Sequence, residues 1–535
     1  MKAFLMYRDR DFDPTYLFAR RDRELRHGRR YGKDEENKDL DLRQLLPWNE
    51  GALRQDLGVE IILREMARED RFLFEVAQVA LLRSLREPGE ITFRQQILLD
   101  SLTNAETVRE IYALAVQAIE AERKNYWGTF NRSPSAILHR SVEVLGSFLG
   151  ILKRLRVIAD RRAELFKSEG FGRFFAMLQE ELSDQYFSTI EHHLRLLTFK
   201  EGALISARLG AGNKGIDYVL RKPHPDRRNW LKRLIEKPEG YTFVLHPRDE
   251  GGVHALGALN DRGVNLVANA LARSADHVLS FFQMLRAELA FYVGCLNLRA
   301  RLDQIDASIC IPAPSQSGTR TLSFQNMYDI SLALSVGRKV VGNDLSADGK
   351  DIVIVTGANT GGKSTFLRSF GLSVLMMQAG MYAPAEAFAS EVCDSLITHY
   401  RREEDAAMES GKWDEELGRM SKIVDRVKPN ALVLFNESFA STNEREGSEI
   451  AGQIVRGLLD SGVRVGYVTH LYHFATSFLR ADGVAFLRAE RLPDGTRPFK
   501  LVDAPPLQTS YGRDLYDTIF THSADQSHLA PLNEE

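Results

Sequence analysis

The chain has 535 residues, 44% apolar and 27% charged, with 70 Lys and Arg against 73 Asp and Glu for a formal charge of −3. At about 150 residues per domain that length allows three or four cores, and the balanced charge excludes binding of polyanions through a strong net field, so any nucleic-acid surface must be local. No run of about 18 apolar residues occurs, which does not favour a membrane span, and Cys295, Cys310 and Cys393 lie far apart without CxxC spacing, which excludes a zinc ribbon and a disulfide framework. MKAFLMYRDRDFD has no secretory pattern, so the cytoplasm is the expected compartment.

Residues 1–50 mix charges densely and read as an exposed arm or connector. From 51 the spacing predicts successive amphipathic helices, with Leu145, Phe148, Leu149, Leu152 and Leu155 on one stripe and Phe174, Phe175 and Met177 as core. Between about 208 and 265 Gly210, Gly212, Gly215, Gly240, Gly251, Gly252, Gly257 and Gly263 interrupt β-like runs such as YTFVL at 241–245. This reads as a small insertion. A long helix through Val278, Phe282, Leu285, Leu289, Val293 and Leu296 follows. The insertion is basic: Arg208, Lys214, Arg221, Lys222, Arg227, Arg228, Lys232 and Arg233 stand against Asp217 and Asp226 over residues 208–233. Its local excess of positive charge suits phosphate contact, with Tyr218 and Trp230 able to stack on a base or to pack.

The strand-forming run Ile352 to Val355 is followed by Thr356 and then Gly357, Ala358, Asn359, Thr360, Gly361, Gly362, Lys363, Ser364 and Thr365, a GxxxxGKS loop before a predicted helix. Glycines let the backbone amides wrap a phosphate, the helix N-terminus adds positive potential, Lys363 neutralises the β- and γ-phosphates and Ser364 is the expected Mg²⁺ ligand. A second strand, ALVLF at 431–435, ends in Asn436 and Glu437. Glu437 is the candidate for orienting or deprotonating the attacking water, and Asn436 stands where an aspartate ordinarily helps hold the metal. Slow turnover or weak Mg²⁺ binding is the expected consequence. A third strand, VRVGYV at 463–468, ends in Thr469 and His470, which places His470 at the same sheet edge as a γ-phosphate sensor.

These stretches resemble the DNA mismatch-repair MutS family, an ABC-type ATPase lineage. The resemblance is carried by TGANTGGKSTFLRS at 356–369, MQAGMYAPA at 377–385, LVLFNESFAST at 432–442, VTHLYHF at 468–474 and TSYGRDL at 509–515. It implies an α/β P-loop ATPase domain over 326–535, preceded by an all-α lever domain over 51–325 with a clamp-like tip inserted at about 208–265. It also implies ATP and Mg²⁺ as cofactors, nucleotide contact by Asn359, Glu437 as hydrolytic base and His470 near the γ-phosphate. In that lineage two ATPase domains face each other. Ser410 with Gly411 matches the signature loop, an ungapped count back from Asn436 putting Gly411 at the signature serine position, and Ser441 and Thr442 match the loop that crosses the dimer interface. No Phe-x-Glu wedge lies in the N-terminal half, and some 50 residues leave no room for a mismatch-reading and a connector domain.

The expectation is therefore a homodimeric, ATP-switched clamp on duplex or branched DNA, selective for structure rather than mispairs, acting in repair or recombination with other repair proteins and without a membrane. Two alternatives stand beside it: an ATP-driven remodeller of RNA or ribosomes, since some wedge-less relatives are associated with stalled translation, and a weakly hydrolysing nucleotide-dependent scaffold.

Overall fold

Apolar residues three and four apart set the first helices, α1 (Glu50–Leu57), α2 (Val59–Ala67), α3 (Arg71–Leu82) and α4 (Pro88–Thr103). Asp70 caps α3 by accepting from the Phe72 and Leu73 amides, and Pro88 opens α4 where no amide partner is needed. The computed structural model describes residues 1–12, 46–126, 133–199, 202–222, 244–246, 248–402 and 411–508. They divide into two units, Met1–Phe4 with Glu106–Leu289 and Leu5–Ala105 with Ala290–Glu535.

The first unit is mainly helical. It contains α5 (Ala105–Tyr126), α6 (Pro134–Arg162), α7 (Glu169–Glu181) and α8 (Asp184–Leu197). Ser133, Ser168 and Ser183 cap the last three by accepting backbone N–H bonds. Phe148, Leu149, Leu152 and Leu155 are buried along α6 as the stripe predicts, with Leu145 half-buried. Phe166, Phe171, Phe174 and Phe175 form an aromatic core with ring centroids 4.5–5.9 Å apart.

The described residues of the insertion include an antiparallel hairpin, β1 (Leu204–Leu209) with β2 (Gly215–Arg221). Lys214, Arg221 and Lys222 are exposed on it, while Arg208 faces Asp217 at 3.5 Å and Arg221 donates to Ser206 Oγ. Arg227, Arg228, Trp230, Lys232 and Arg233 lie outside the described residues, as do 241–243 of the expected strand; Val244 and Leu245 are not in a strand. The insertion ends sooner than 265, because a helix of 55 residues, α9 (Glu250–Gln304), already contains Gly251, Gly252, Gly257 and Gly263. Close packing explains one of these glycines: a Cβ on Gly263 would stand 2.5 Å from Ile205 Cδ1 of the hairpin. Glycine inside a helix costs only about 1 kcal/mol against alanine. One stretch of α9 is long and apolar enough to cross a membrane, but most of it is buried within the protein, as in a core helix.

The second unit is α/β. In chain order it adds β3 (Ala313–Ser315), β4 (Leu322–Met327), α10 (Ile330–Val336), β5 (Asn343–Ser346), β6 (Ile352–Gly357), α11 (Lys363–Gln378), β7 (Ala387–Glu391) and β8 (Leu396–Tyr400). Then come α12 (Lys412–Val424), β9 (Leu432–Asn436), α13 (Glu444–Asp460), β10 (Arg464–Val468), α14 (Tyr472–Ser477), β11 (Val484–Ala489) and β12 (Leu501–Asp503). Six strands form one sheet in the order β12-β11-β6-β10-β9-β8, all neighbours parallel except β11 with β12. A smaller mixed sheet runs β3-β7-β4-β5.

Both faces of the large sheet are covered, which is why its strands are continuous apolar runs. On one face Ile354, Phe435 and Tyr467 pack with Val455, Leu458 and Phe474 of α13 and α14; the Tyr467 ring stacks on Phe435 at 5.0 Å and meets Phe474, tilted, at 4.4 Å. Helix α11 covers the other face, and a Cβ on its Gly371 would stand 2.8 Å from both Leu434 of β9 and Leu57 of α1. Nearly all of α11 is buried, so it needs a second cover behind it, and α1 and α3 supply that cover. A cut at residue 325 therefore does not follow the packing, because residues 5–105 belong with the α/β unit. Sequence periodicity marks these helices but says nothing of which core they cover.

Candidate nucleotide site

The apolar strand β6 carries the chain through the sheet to Gly357, where the phosphate loop begins. Gly357 and Gly362 have φ of 106° and 88°, a region that residues with a Cβ enter only with strain. Gly361 has a different reason, since a Cβ there would stand 2.7 Å from Ala489 Cβ and 2.9 Å from the Ala358 carbonyl. Helix α11 starts at Lys363, so its free amides and positive dipole end face the loop. Lys363 is 4% exposed, and its Nζ donates to the Gly357 and Ala358 carbonyls at 3.1 and 2.8 Å. Burial pulls its ammonium down to about 8; the Glu437 charge opposes that shift and the Arg497 charge adds to it.

The parallel order β6-β10-β9 brings three strand ends to one edge. The Glu437 amide bonds to the Val468 carbonyl at 2.9 Å and the Thr469 amide to Val355 at 3.0 Å, which extends the ladder past the strands. Here His470 Nε2–H donates to Glu437 Oε1 at 2.9 Å. This bond, partly offset by burial and reinforced by the His470, Lys363 and Arg401 charges, holds the Glu437 carboxyl below the usual range. Glu437 has φ 53°, a strained backbone of the kind that collects at functional sites. Ser364 Oγ donates to Asn436 Oδ1 at 2.9 Å. Lys363 thus lies in the loop, Ser364 against Asn436 and Glu437 against His470.

A cavity of about 630 Å³ opens beside the loop, lined by Asn359 through Thr365 and by Glu437. Its other wall was not legible in the sequence. Val336 ends α10, Arg338, Lys339, Val340 and Val341 come from the segment after it, and Phe499 from the return between β11 and β12. Asn343 ties these walls together, donating from Nδ2 to the Phe499 carbonyl at 3.3 Å and accepting from the Leu501 amide at 2.7 Å. The pair Arg338-Lys339 was the one available signal, and a two-residue basic run is too common to stand out.

Among the described dimer-interface candidates, Gly411, Ser441 and Thr442 do not line this cavity. Ser410 lies outside the described residues; Gly411 is exposed and precedes α12. Thr442 Oγ1 donates to Glu446 at 2.7 Å, and Ser441 hydrogen-bonds Glu416 of α12. Glu416 also accepts from the Phe439 amide at 2.6 Å. Fully buried His399 lies beneath this loop, with Nδ1 2.8 Å from Ser438 Oγ and Nε2 3.2 Å from the Glu416 carbonyl.

The family models fall on both parts of this architecture. Residues 86–305 match the MutS2 N-terminal domain, and residues 353–501, which hold the loop, Glu437 and His470, match MutS domain V. The chain belongs to the MutS family. It is 28% identical over 228 residues to the DNA mismatch repair protein MutS of Lactobacillus helveticus, 40% of this chain and 26% of that protein. With the MutS of Streptococcus thermophilus it shares 29% over 261 residues, 45% of this chain and 30% of the other. With MutS protein homolog 4 of Mus musculus the figure is 27% over 172 residues, 31% and 18% of the two chains. This MutS-family chain spans less than a third of the length of these curated relatives.

Proposed function

We propose that the protein is a Mg²⁺-dependent ATPase that couples hydrolysis to DNA binding, acting as a homodimeric clamp with composite sites in DNA repair or recombination and selecting DNA structure rather than mispairs. The observation that carries the ATPase reading is the meeting of the Ser364–Asn436 and Glu437–His470 pairs beside one phosphate loop. The oxygen donors Ser364 and Asn436 fit Mg²⁺, and they are the residues that would hold it with its waters. When bound, the ion supplies charge neutralisation at the β- and γ-phosphates. Lys363 and the loop amides hold the polyphosphate. Glu437, kept ionised by His470, orients a water and takes its proton as the water oxygen bonds to the γ-phosphorus and the bond to the β–γ bridging oxygen breaks. Exposed Lys214, Arg221 and Lys222 on the hairpin supply phosphate contacts to DNA.

Steady-state hydrolysis measured with duplex, mismatched and four-way-junction DNA tests the coupling. Glu437→Gln is expected to lower turnover by about 100-fold or more while ATP still binds; unchanged turnover would remove Glu437 from the reaction. Charge reversal at Lys214, Arg221 and Lys222, and separately at Arg227 and Arg228, is expected to weaken DNA binding across sequences and to flatten its salt dependence. DNA affinity equal to the unaltered protein's at every salt concentration would take the hairpin out of the clamp. The alternative reading is remodelling of RNA or ribosomes, which the same assay addresses with structured RNA. Structured RNA stimulating hydrolysis where every DNA fails would establish it over the DNA clamp.

A further inference from the structure

The segment after β11 carries a cation onto the phosphate loop. It leaves Ala489, whose Cβ stands against Gly361, and turns at Leu492–Thr496, where the Gly495 amide bonds to Leu492 and the Leu492 amide to Thr496, both at 2.9 Å. The Glu490 amide then meets the Lys500 carbonyl at 2.8 Å. Lys500 Nζ donates to the Gly342 carbonyl at 2.5 Å, and Asn343 holds the backbone on both sides of Lys500. Phe499, at φ 59°, lies with its Cβ 3.5 Å from the position of a Cβ on Gly362. The return is thus fastened from both walls of the cavity, and half-buried Arg497 is held there with Nη1 donating to Thr360 Oγ1 at 2.5 Å. Thr360 in turn donates to the Asn359 carbonyl at 2.6 Å.

Two cations therefore approach one loop, Lys363 from its inner end and Arg497 from its rim. Their mutual repulsion is unfavourable in the free protein: the Arg497 charge is one of the causes that lower the Lys363 ammonium. A polyanion between them reverses the sign of that interaction, and the planar guanidinium matches phosphate oxygens through two parallel N–H donors.

We propose that Arg497 is a substrate-contacting residue of this site, a second cation supplied by the same chain that grips the polyphosphate of a nucleoside di- or triphosphate together with Lys363. The assignment rests on the nucleotide reading of the loop. It differs from a purely structural pin in one respect: a pin at Thr360 would serve every nucleotide alike, whereas a phosphate contact grows in importance with the number of phosphates.

Calorimetric titration of the full chain with AMP, ADP and ATP, each with Mg²⁺, tests it on Arg497→Ala, Arg497→Lys and Lys363→Ala, with thermal melting of each variant as the folding control. Arg497→Ala is expected to weaken ADP and ATP by about tenfold or more, the size of a charge-assisted hydrogen bond, and to leave AMP unchanged. Arg497→Lys recovers part of the loss because it keeps the charge without the fork. Arg497→Ala binding ADP and ATP like the unaltered protein, or losing all three nucleotides equally, overturns the assignment. If Lys363→Ala loses ATP in that same experiment, the nucleotide site stands and only Arg497 is misplaced. If the unaltered protein shows no Lys363-dependent ATP binding, the reading of the loop falls and the assignment falls with it.

Discussion

His399 offers a sharp test of the buried machinery under the Glu437 loop. Its ring has no solvent exposure and faces Ser438 Oγ at 2.8 Å and the Glu416 carbonyl at 3.2 Å. Two effects oppose one another. Acceptors near both ring nitrogens favour the cation by about 1 kcal/mol per hydrogen bond, while desolvating a cation costs several kcal/mol. Burial wins, with the Arg419 and Arg402 charges assisting, and pulls the imidazole from 6.5 down to about 4. Between those values the unfolded chain binds a proton that the folded chain refuses, so stability rises with pH across the window and is lost as pH falls through it. The linkage is about 3 kcal/mol over the whole window, about 2 of it between pH 7 and pH 5. Hydrogen exchange of the amides of β8 and β9, read by mass spectrometry at pH 7 and pH 5 and corrected for intrinsic rate, measures the opening free energy directly. His399→Gln is expected to lower protection at pH 7 and to remove about 2 kcal/mol of the pH difference. A His399→Gln profile parallel to that of the unaltered protein would refute the argument. A profile in which the unaltered protein gains protection on acidification, relative to the variant, would show that the ring is held as a cation.

Two further substitutions probe the loop and the metal position. Gly361→Ala drives a Cβ to 2.7 Å from Ala489 Cβ, so the loop must shift; calorimetric melting is expected to show a loss of about 1–3 kcal/mol and titration a weakened affinity for ATP. Wild-type affinity would mean that the loop relaxes freely past β11. Asn436→Asp places a charge beside the Ser364 hydroxyl, and the expected result is a lower half-saturating Mg²⁺ concentration with severalfold faster turnover; a Mg²⁺ titration unchanged by the substitution would show that Asn436 takes no part in holding the ion.

The phosphate loop, Glu437 and His470 were legible because each ends a short apolar strand, and a parallel sheet brings such ends to one edge. Periodicity likewise marked α6 and the long α9. What the sequence concealed was adjacency between distant segments. Leu57 and Gly371 are neighbours because α11 is buried along nearly its whole length, and nothing in residues 50–105 says which core they cover. Arg497 and Phe499 reach the loop through a turn more than 130 residues downstream of it, with no spacing rule to announce them. Gly251 to Gly263 misled in the opposite direction. Glycine frequency reads as a loop, but in α9 at least one of these glycines makes room for the hairpin's Ile205.

The strand that delivers the phosphate loop has a consequence for how the protein is made. β6 lies between β10 and β11, which begin at Arg464 and Val484. Neither neighbour has been synthesised when Ile352–Gly357 leaves the ribosome. A chain interrupted near residue 460 exposes Ile352, Val353, Ile354 and Val355 with both edges unpaired, a template for association with other nascent chains. Nucleotide can act as a folding ligand only late in translation, since the loop gains its supporting strands after more than 480 residues have emerged.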